Sequence, residues 1–305
     1  MYILEDKLQK NSIIKISYYK FIKWISIVQN QDYKKVIVTG ATGFIGQNLI
    51  PYLLEKNYNI TAVSRDPEKA KRFKWFSKVK FIKADINNDP HLIDIGKNIG
   101  LFHLAWQGLP NYNSLHHFEE NLPKNYSFLK KMVKSGINQI LVTGTCFEYG
   151  FQSGPISSKS KTDPKNAYAI AKDNLRQHLE LLNNNHSFLL QWARLFYMYG
   201  EGQSPHSIIP QLDTAINNNK KIFNMSKGEQ LRDYLAIEEV VKQLHELYEN
   251  SQPGTYNICS GKPTSIRKVV EKRKIERKSD INFNFGYYPY PDYEPMAFWG
   301  EKDEK

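Results

Sequence analysis

Tyr168 and Lys172 stand four residues apart in Asn166-Ala-Tyr-Ala-Ile-Ala-Lys172, so on a helix they share one face. A phenol titrates at about 10 and is a poor proton donor or acceptor at neutral pH. An ammonium group beside it favours the phenolate and brings the phenol toward working range. Tyr-x-x-x-Lys also occurs on helix surfaces that do no chemistry, so a third group matters. It comes from Gln139-Ile-Leu-Val-Thr143, which reads as a strand and runs into Gly144-Thr-Cys-Phe-Glu-Tyr-Gly150. Thr145 is thus delivered at the C-terminal end of a strand, where open α/β sheets bind ligands. A hydroxyl there can hydrogen-bond a substrate carbonyl or alcohol.

A second constellation is Lys35-Val-Ile-Val-Thr-Gly-Ala-Thr-Gly-Phe-Ile-Gly46. An apolar β-branched run leads into a turn spaced by Gly40, Gly43 and Gly46, and then into a helical pattern. A tight turn, a backbone that approaches a pyrophosphate and a helix packed close on a strand each favour a residue without a side chain. The helix N-terminus offers free N–H groups and a positive dipole end to phosphates.

The elements that must position these groups alternate along the chain. Apolar runs at 35–39, 59–63, 79–84, 100–104, 138–143 and 187–195 read as buried strands, with a further strand at 254–259. Helical patterns lie near 44–56, 67–76, 115–135 and 164–184. This alternation predicts an α/β fold: a doubly wound, Rossmann-like parallel sheet with helices on both faces. Residues 34–199 form the dinucleotide-binding domain in this reading, together with the later strand. Residues 200–305 mainly build a smaller C-terminal substrate lobe. Residues 1–33 precede the fold. Their run from Ile13 to Val28 reads either as an amphipathic surface segment or as an extra tail, and a chain starting near Tyr33 is expected to fold and stay active.

Composition narrows the function classes. The 305 residues suit one large or two modest domains, and 41% apolar residues support a sizeable core. No run reaches the roughly 18 uncharged apolar residues of a membrane span, and no secretory signal is evident. Cys146 and Cys259 are the two cysteines, which argues against a disulfide framework and for a reducing cytoplasm. The adjacent His116 and His117 lack ligand spacing, so no metal is assigned. The net charge of +11 is concentrated at 1–35 and 262–278, which reads as solvated surface and not as a nucleic-acid stripe.

These residues together resemble the extended short-chain dehydrogenase/reductases, the NAD-dependent epimerase/dehydratases of nucleotide sugars, over roughly 35–300. Gly40-Ala-Thr-Gly-Phe-Ile-Gly46 is similar to that family's phosphate turn, which implies cofactor contacts from Thr42, Phe44 and Ile45 besides the glycines. Asp85-Ile86 resembles its adenine-contacting acid. Phe102-His-Leu-Ala-Trp106 resembles its fourth strand, placing Leu104 and Ala105 at the cofactor. Thr145, Tyr168 and Lys172 fit its catalytic triad, and Tyr168 and Lys172 also touch the cofactor. Asn121 falls where the family has an asparagine, and Arg232 resembles its arginine that grips the substrate diphosphate; both are expected at the substrate. Asn257-Ile-Cys-Ser-Gly-Lys-Pro263 resembles a further family strand and turn.

The family's dehydratases follow the catalytic Thr with Asp-Glu, whereas Cys146 and Phe147 follow here, which disfavours dehydration. The strings 144–150, 192–202 and 288–299 resemble the 4-ketoreductases of dTDP-4-keto-6-deoxysugars. The aromatic, Pro-rich last string reads as a wall beside the nucleotide or sugar, or as a packed C-terminal turn. Ser64 takes the position of the family's ribose-binding acid and Arg65 follows it. Arg65 can pair with a 2′-phosphate, so NADP is favoured and NAD stays open; Asp66 reads as a helix N-cap.

The resemblance therefore implies a nicotinamide-dependent reductase of deoxysugar biosynthesis. Hydride passes to C4 of a dTDP-4-keto-6-deoxyhexose, Tyr168 donates the proton, Thr145 orients the oxygen, and Lys172 tunes Tyr168. Cys146 is a pocket wall or a second acid. A 4-epimerase and a non-enzymatic dinucleotide sensor are the alternatives. A homodimer is compatible. Three departures from the family are the leading segment, the basic stretch 268–282, and an end soon after Trp299 that implies a missing final helix.

Overall fold

The computed structural model describes residues 35–88, 99–290 and 295–303. The expected leading segment 1–33 lies outside them, as do positions 291–294 of the aromatic string.

The β-branched run Lys35–Thr39 forms β1, and the other apolar runs follow: β2 Asn59–Ser64, β3 Lys80–Lys83, β4 Gly100–His103 and β5 Gln139–Thr145. The short β6 (Gly154–Ile156) precedes β7 (Leu189–Leu195), and after β8 (Tyr197–Tyr199), β9 (Ile222–Met225) and β10 (Leu231–Ala236) comes β11 (Gly254–Ile258). Seven of these strands pair in the order β11-β7-β5-β4-β1-β2-β3, every pair parallel. The order reverses between β1 and β4, so a crevice opens at the carboxyl ends of those two strands.

Helices cover both faces, as fully buried parallel strands require. On one face α1 (Phe44–Glu55) lies in the same apolar cluster as a helix over 237–250, with Leu49, Leu53, Val240 and Leu244 buried against β1, β4 and β7. On the other, Phe128, Leu129 and Met132 pack with Leu175, Leu179 and Leu182, from helices over 122–134 and 167–185. Numbered in chain order, these are α1, the short α2 (Pro67–Lys71), α3 (Leu122–Lys134), α4 (Ala167–Asn185), α5 (Ile208–Asn217), α6 (Ile237–Asn250) and α7 (Ile266–Glu276).

Two expected helices are shorter than their patterns. The α2 pattern ends at Lys71, where Trp75 turns into the core and stacks on Phe73. The pattern at 115–135 splits into a π-turn, His117–Asn121, and then α3. Pro123 explains the split. It has no N–H for the carbonyl four residues back, and its ring crowds that carbonyl.

A smaller sheet holds β12 (Pro263–Ser265), β10, β14 (Ala297–Gly300) and β6 in that order, with β8 also on β10. β13 (Asn282–Phe285) pairs with β9. The chain thus crosses between the two sheets: β6 joins the small one, while α6 and β11 return to the large one. The basic stretch includes α7, which buries Val270 and anchors through Arg273, whose guanidinium donates to both oxygens of Asp213 at 2.7 and 2.8 Å. No helix among the described residues is long and apolar enough to cross a membrane.

Candidate active site

The crevice at the β1/β4 reversal is a cleft of about 380 Å³, within the range of small-ligand sites. Gly40, Thr42 and Gly43 line one side, Ser64, Arg65, Asp66 and Lys69 another, and Asp85, Ile86, Leu104, Ala105 and Trp106 are among the residues that face them.

The glycine turn fits a dinucleotide phosphate. Gly40 has φ +70°, and a Cβ there would lie 2.9 Å from the Ala105 amide nitrogen. A Cβ on Gly46 would lie 2.4 Å from Gly40 O, so only glycine lets α1 sit this close to the turn. No side chain caps α1 at Gly43, and its first turn has no acid. Its N-terminal end is therefore suited to an anion. Gly46 packs the helix and does not line the cleft; Phe44 and Ile45 pack against the core.

The end of β2 is neutral. Ser64 Oγ pairs with Thr42 Oγ1 at 2.7 Å, and Asp66 caps α2 by accepting from Lys69 N at 2.9 Å. The cleft wall there presents Arg65 and Lys69 together with Asp66, whose Oδ1 is engaged by the helix cap. Across the cleft, Asp85 accepts from Asn87 N at 3.0 Å, Asn88 Nδ2 at 3.0 Å and Gln107 Nε2 at 3.3 Å.

Thr145, Tyr168 and Lys172 come together at the end of β5. The Tyr168 hydroxyl is hydrogen-bonded to Thr145. Lys172 Nζ donates to Thr143 O at 2.7 Å and lies 4.3 Å from the centre of the Trp106 ring. Burial lowers Lys172 to about 7. Tyr168 does not move in the expected direction. Burial, and then the charge of Glu148, push it above the ordinary phenol value. Desolvation of the phenolate outweighs the hydrogen bond from Thr145, so Tyr168 is held as a phenol.

The spacing rules missed the aromatic shell. Trp106, Tyr112 and His117 surround Tyr168, with ring centres 6.0, 5.7 and 5.4 Å away. Tyr112 O also accepts from Tyr168 N at 2.9 Å, fixing the loop to the start of α4. His117 Nε2 donates to Asn111 O at 2.8 Å, while its Nδ1 accepts from Trp106 Nε1 at 3.1 Å. These partners select the neutral Nε2–H tautomer, and burial lowers the His117 pKa in the same sense.

Two residues expected at the substrate are buried among protein partners. Asn121 is fully buried. Its Nδ2 donates to Gln107 O at 2.9 Å and faces His117 Nδ1 at 3.3 Å. The π-turn points it into the protein, where it holds the aromatic loop. Arg232 is 1% exposed. It sits on β10 between β12 and β14, donates to Leu231 O at 2.9 Å, and faces the Tyr197 ring at 5.6 Å. It does not line the dinucleotide cleft. In the aromatic string, Tyr290 donates to Glu229 at 2.6 Å, while Phe298 stacks on Phe196 and clusters with Cys146 and Tyr149 of the turn that follows Thr145.

The turn after Thr145 carries a buried acid, Glu148, whose carboxylate accepts from Arg194 and Trp192. Cys146 is buried and Phe147 faces Tyr112. No group of three metal-ligating side chains occurs among the described residues.

Comparison with known proteins agrees with this geometry. The model of the NAD dependent epimerase/dehydratase family matches residues 36–259. The chain is 33% identical over 271 residues to a dTDP-6-deoxy-L-talose 4-dehydrogenase (NAD(+)) of Aggregatibacter actinomycetemcomitans, covering 88% of this chain and 99% of the relative. It is 26% identical to the dTDP-4-dehydro-6-deoxyglucose reductase of Escherichia coli, over 81% of this chain and 84% of the relative. Among solved structures, MoeE5 in complex with UDP-glucuronic acid and NAD superposes with a TM-score of 0.72 at 25% identity, covering 87% of this chain and 90% of that one. A family model spanning most of the chain and a relative 33% identical along nearly its whole length have one consequence: the chain belongs to the NAD dependent epimerase/dehydratase family.

Proposed function

We propose that this chain is a 4-ketoreductase that passes hydride from a nicotinamide cofactor to C4 of a dTDP-4-keto-6-deoxyhexose. In coarser terms it is a nicotinamide-dependent enzyme that modifies nucleotide sugars. The observation that carries the reading is the meeting of Thr145, Tyr168 and Lys172 beside a dinucleotide-shaped cleft. The relatives named as a 4-dehydrogenase and a 4-dehydro-6-deoxyglucose reductase support the choice of C4.

The glycine turn and the N-terminus of α1 would hold the pyrophosphate, and a nicotinamide bound there supplies the hydride. The chain's own residues handle the proton. Tyr168, kept as a phenol by burial, is ready to donate to the C4 oxygen. Thr145 orients that oxygen, and Lys172 stands one helical turn behind. Dehydration is disfavoured because the acid on this turn, Glu148, is committed to Arg194, Trp192 and Thr145 N. Arg65 and Lys69 beside the uncharged Ser64 favour NADPH over NADH, since an acid there would repel a 2′-phosphate.

The test supplies the keto sugar with excess and then with trace NADPH. A reductase consumes one NADPH per product. Many turnovers on trace cofactor, without regeneration, would overturn this reading in favour of a 4-epimerase. Turnover of dTDP-glucose without added reductant would favour a dehydratase. The configuration of the C4 hydroxyl, read by NMR, then names the product.

A further inference from the structure

We propose that Glu148 is a positioning residue for this reaction: its carboxylate fixes the backbone of Thr145 and places one buried negative charge behind the Tyr168–Lys172 pair. The inference rests on the roles given above to those three residues.

Glu148 is 0% exposed. Its Oε1 accepts from Thr145 N at 2.8 Å, its Oε2 from Arg194 Nε at 2.6 Å, and both oxygens lie 3.1 Å from Trp192 Nε1. All these partners are N–H donors, which suits a carboxylate and leaves no acceptor for a carboxylic acid proton. Burial raises the Glu148 pKa and Arg194 opposes the rise. The backbone is shaped to admit the group. A Cβ on Gly144 would lie 2.6 Å from Glu148 Oε1 and 2.2 Å from Trp192 Nε1.

The contact belongs to a chain of charges that joins the elements of the site. Arg194, on β7, donates to Ser158 O at 3.2 Å and lies 3.9 Å from Asp173. Asp173 follows Lys172 on α4 and pairs with Arg176 at 2.8 Å. The turn carrying Thr145 is thereby tied through β7 to the helix carrying Tyr168 and Lys172.

A cap alone does not explain the charge. Glutamine completes a Thr-x-x-Gln box equally well, and a buried ion pair costs desolvation that neutral packing avoids. The negative charge has an effect a neutral side chain lacks: it raises both Tyr168 and Lys172. The other titratable groups facing the pair are Tyr112 and Cys146, which also raise Tyr168, and His103 and His117, both lowered by burial. None of them supplies a fixed negative charge at neutral pH. Glu148 therefore adds to burial in keeping Tyr168 a phenol and opposes it in keeping Lys172 partly protonated.

Selective 13Cε-lysine labelling tests this without substrate, with the Lys172 signal assigned by its loss in Lys172→Met. The wild-type signal titrates near 7. In Glu148→Gln the midpoint falls by about one unit. Arg194→Gln withdraws the charge that opposes protonation of Glu148, so Glu148 takes up a proton and the Lys172 midpoint falls as in Glu148→Gln; this variant decides the matter if Glu148→Gln fails to fold. Glu148→Asp keeps the charge and the midpoint but withdraws from Thr145 N, so kcat falls while KM for the sugar nucleotide stays within about threefold. An unchanged midpoint in folded Glu148→Gln, or an unchanged or raised one in Arg194→Gln, overturns the proposal. Failure of the wild type to turn over any sugar nucleotide would sink the reading of function, while the lysine titration would still decide the role of the Glu148 charge.

Discussion

The Lys172 ammonium lies against the face of Trp106, 4.3 Å from the ring centre, and is anchored to Thr143 O at 2.7 Å. The indole and a carbonyl replace water around the charge. That exchange is incomplete, and burial accordingly lowers the lysine to about 7. The same indole lines the dinucleotide cleft and contacts the ring of Tyr168. One side chain therefore borders both the cleft and Tyr168.

Tyr168→Phe removes the proton donor and leaves the ring that Trp106, Tyr112 and His117 surround. Turnover should fall by about 10²–10⁴. Cofactor affinity and thermal stability should stay near wild type. Steady-state kinetics, cofactor titration and a melting curve check this, and near-wild-type turnover would remove Tyr168 from the mechanism.

Arg65→Ala should weaken NADPH by roughly 1.5–3 kcal/mol, the loss of a charge-assisted contact to the 2′-phosphate, and hardly affect NADH. Lys69→Ala should act in the same direction. Calorimetric titration of both cofactors decides it. Equal losses for NADPH and NADH, or a wild type that binds NADH more tightly, would show that the end of β2 holds a ribose without the phosphate.

Lys172→Met should lose activity and gain stability, with a pH dependence of defined sign. The folded chain holds Lys172 at about 7, against about 10.4 in an unfolded chain. Between these values the unfolded state binds more protons, so this group makes stability rise with pH. Below about 7 the wild type bears the full cost of the buried charge, at most about 5 kcal/mol. The variant's advantage in melting temperature should thus be largest near pH 6 and shrink toward pH 9. An advantage that grows with pH would mean Lys172 is not held neutral by burial.

How much of this was legible depended on how local each signal is. The glycine turn, Thr145, and the Tyr168–Lys172 pair are short-range patterns, and the structure brings them to one edge of the sheet. The β-branched runs fixed the large-sheet strands to within a few residues, because buried parallel strands leave little freedom in composition. The direction of the Tyr168 shift was misread because a spacing rule shows the lysine but not the burial. The turn that buries Asn121 was not legible, because it depends on one proline, Pro123, breaking the helical pattern. Arg232 lies on an interior strand of the small sheet, and nothing in its neighbours announces that. Trp106, Tyr112 and His117 come from a loop without periodicity. Glu148 is visible as the last residue of a Thr-x-x-Glu box, but its counter-ion Arg194 stands 46 positions away and only folding pairs them.

Trp106 offers a direct view of the shared boundary between cleft and proton donor. Its ring lies on the cleft wall, so a bound dinucleotide contacts it and should quench its emission. Trp106→Phe keeps an aromatic face over Lys172 but loses the N–H that holds His117 Nδ1. The variant should bind cofactor, lose most of the binding-induced quench, and retain a reduced kcat because the Tyr168 shell loosens. Trp106→Ala goes further. Without the indole, water reaches Lys172, and since burial is the cause of its lowered pKa, the lysine should rise toward its ordinary range. Fluorescence titration of wild type and Trp106→Phe, with 13C-lysine NMR of Trp106→Ala, tests both halves. An undiminished quench in Trp106→Phe would place the cofactor away from this wall, and a lysine still near 7 in Trp106→Ala would show that groups other than the indole desolvate it.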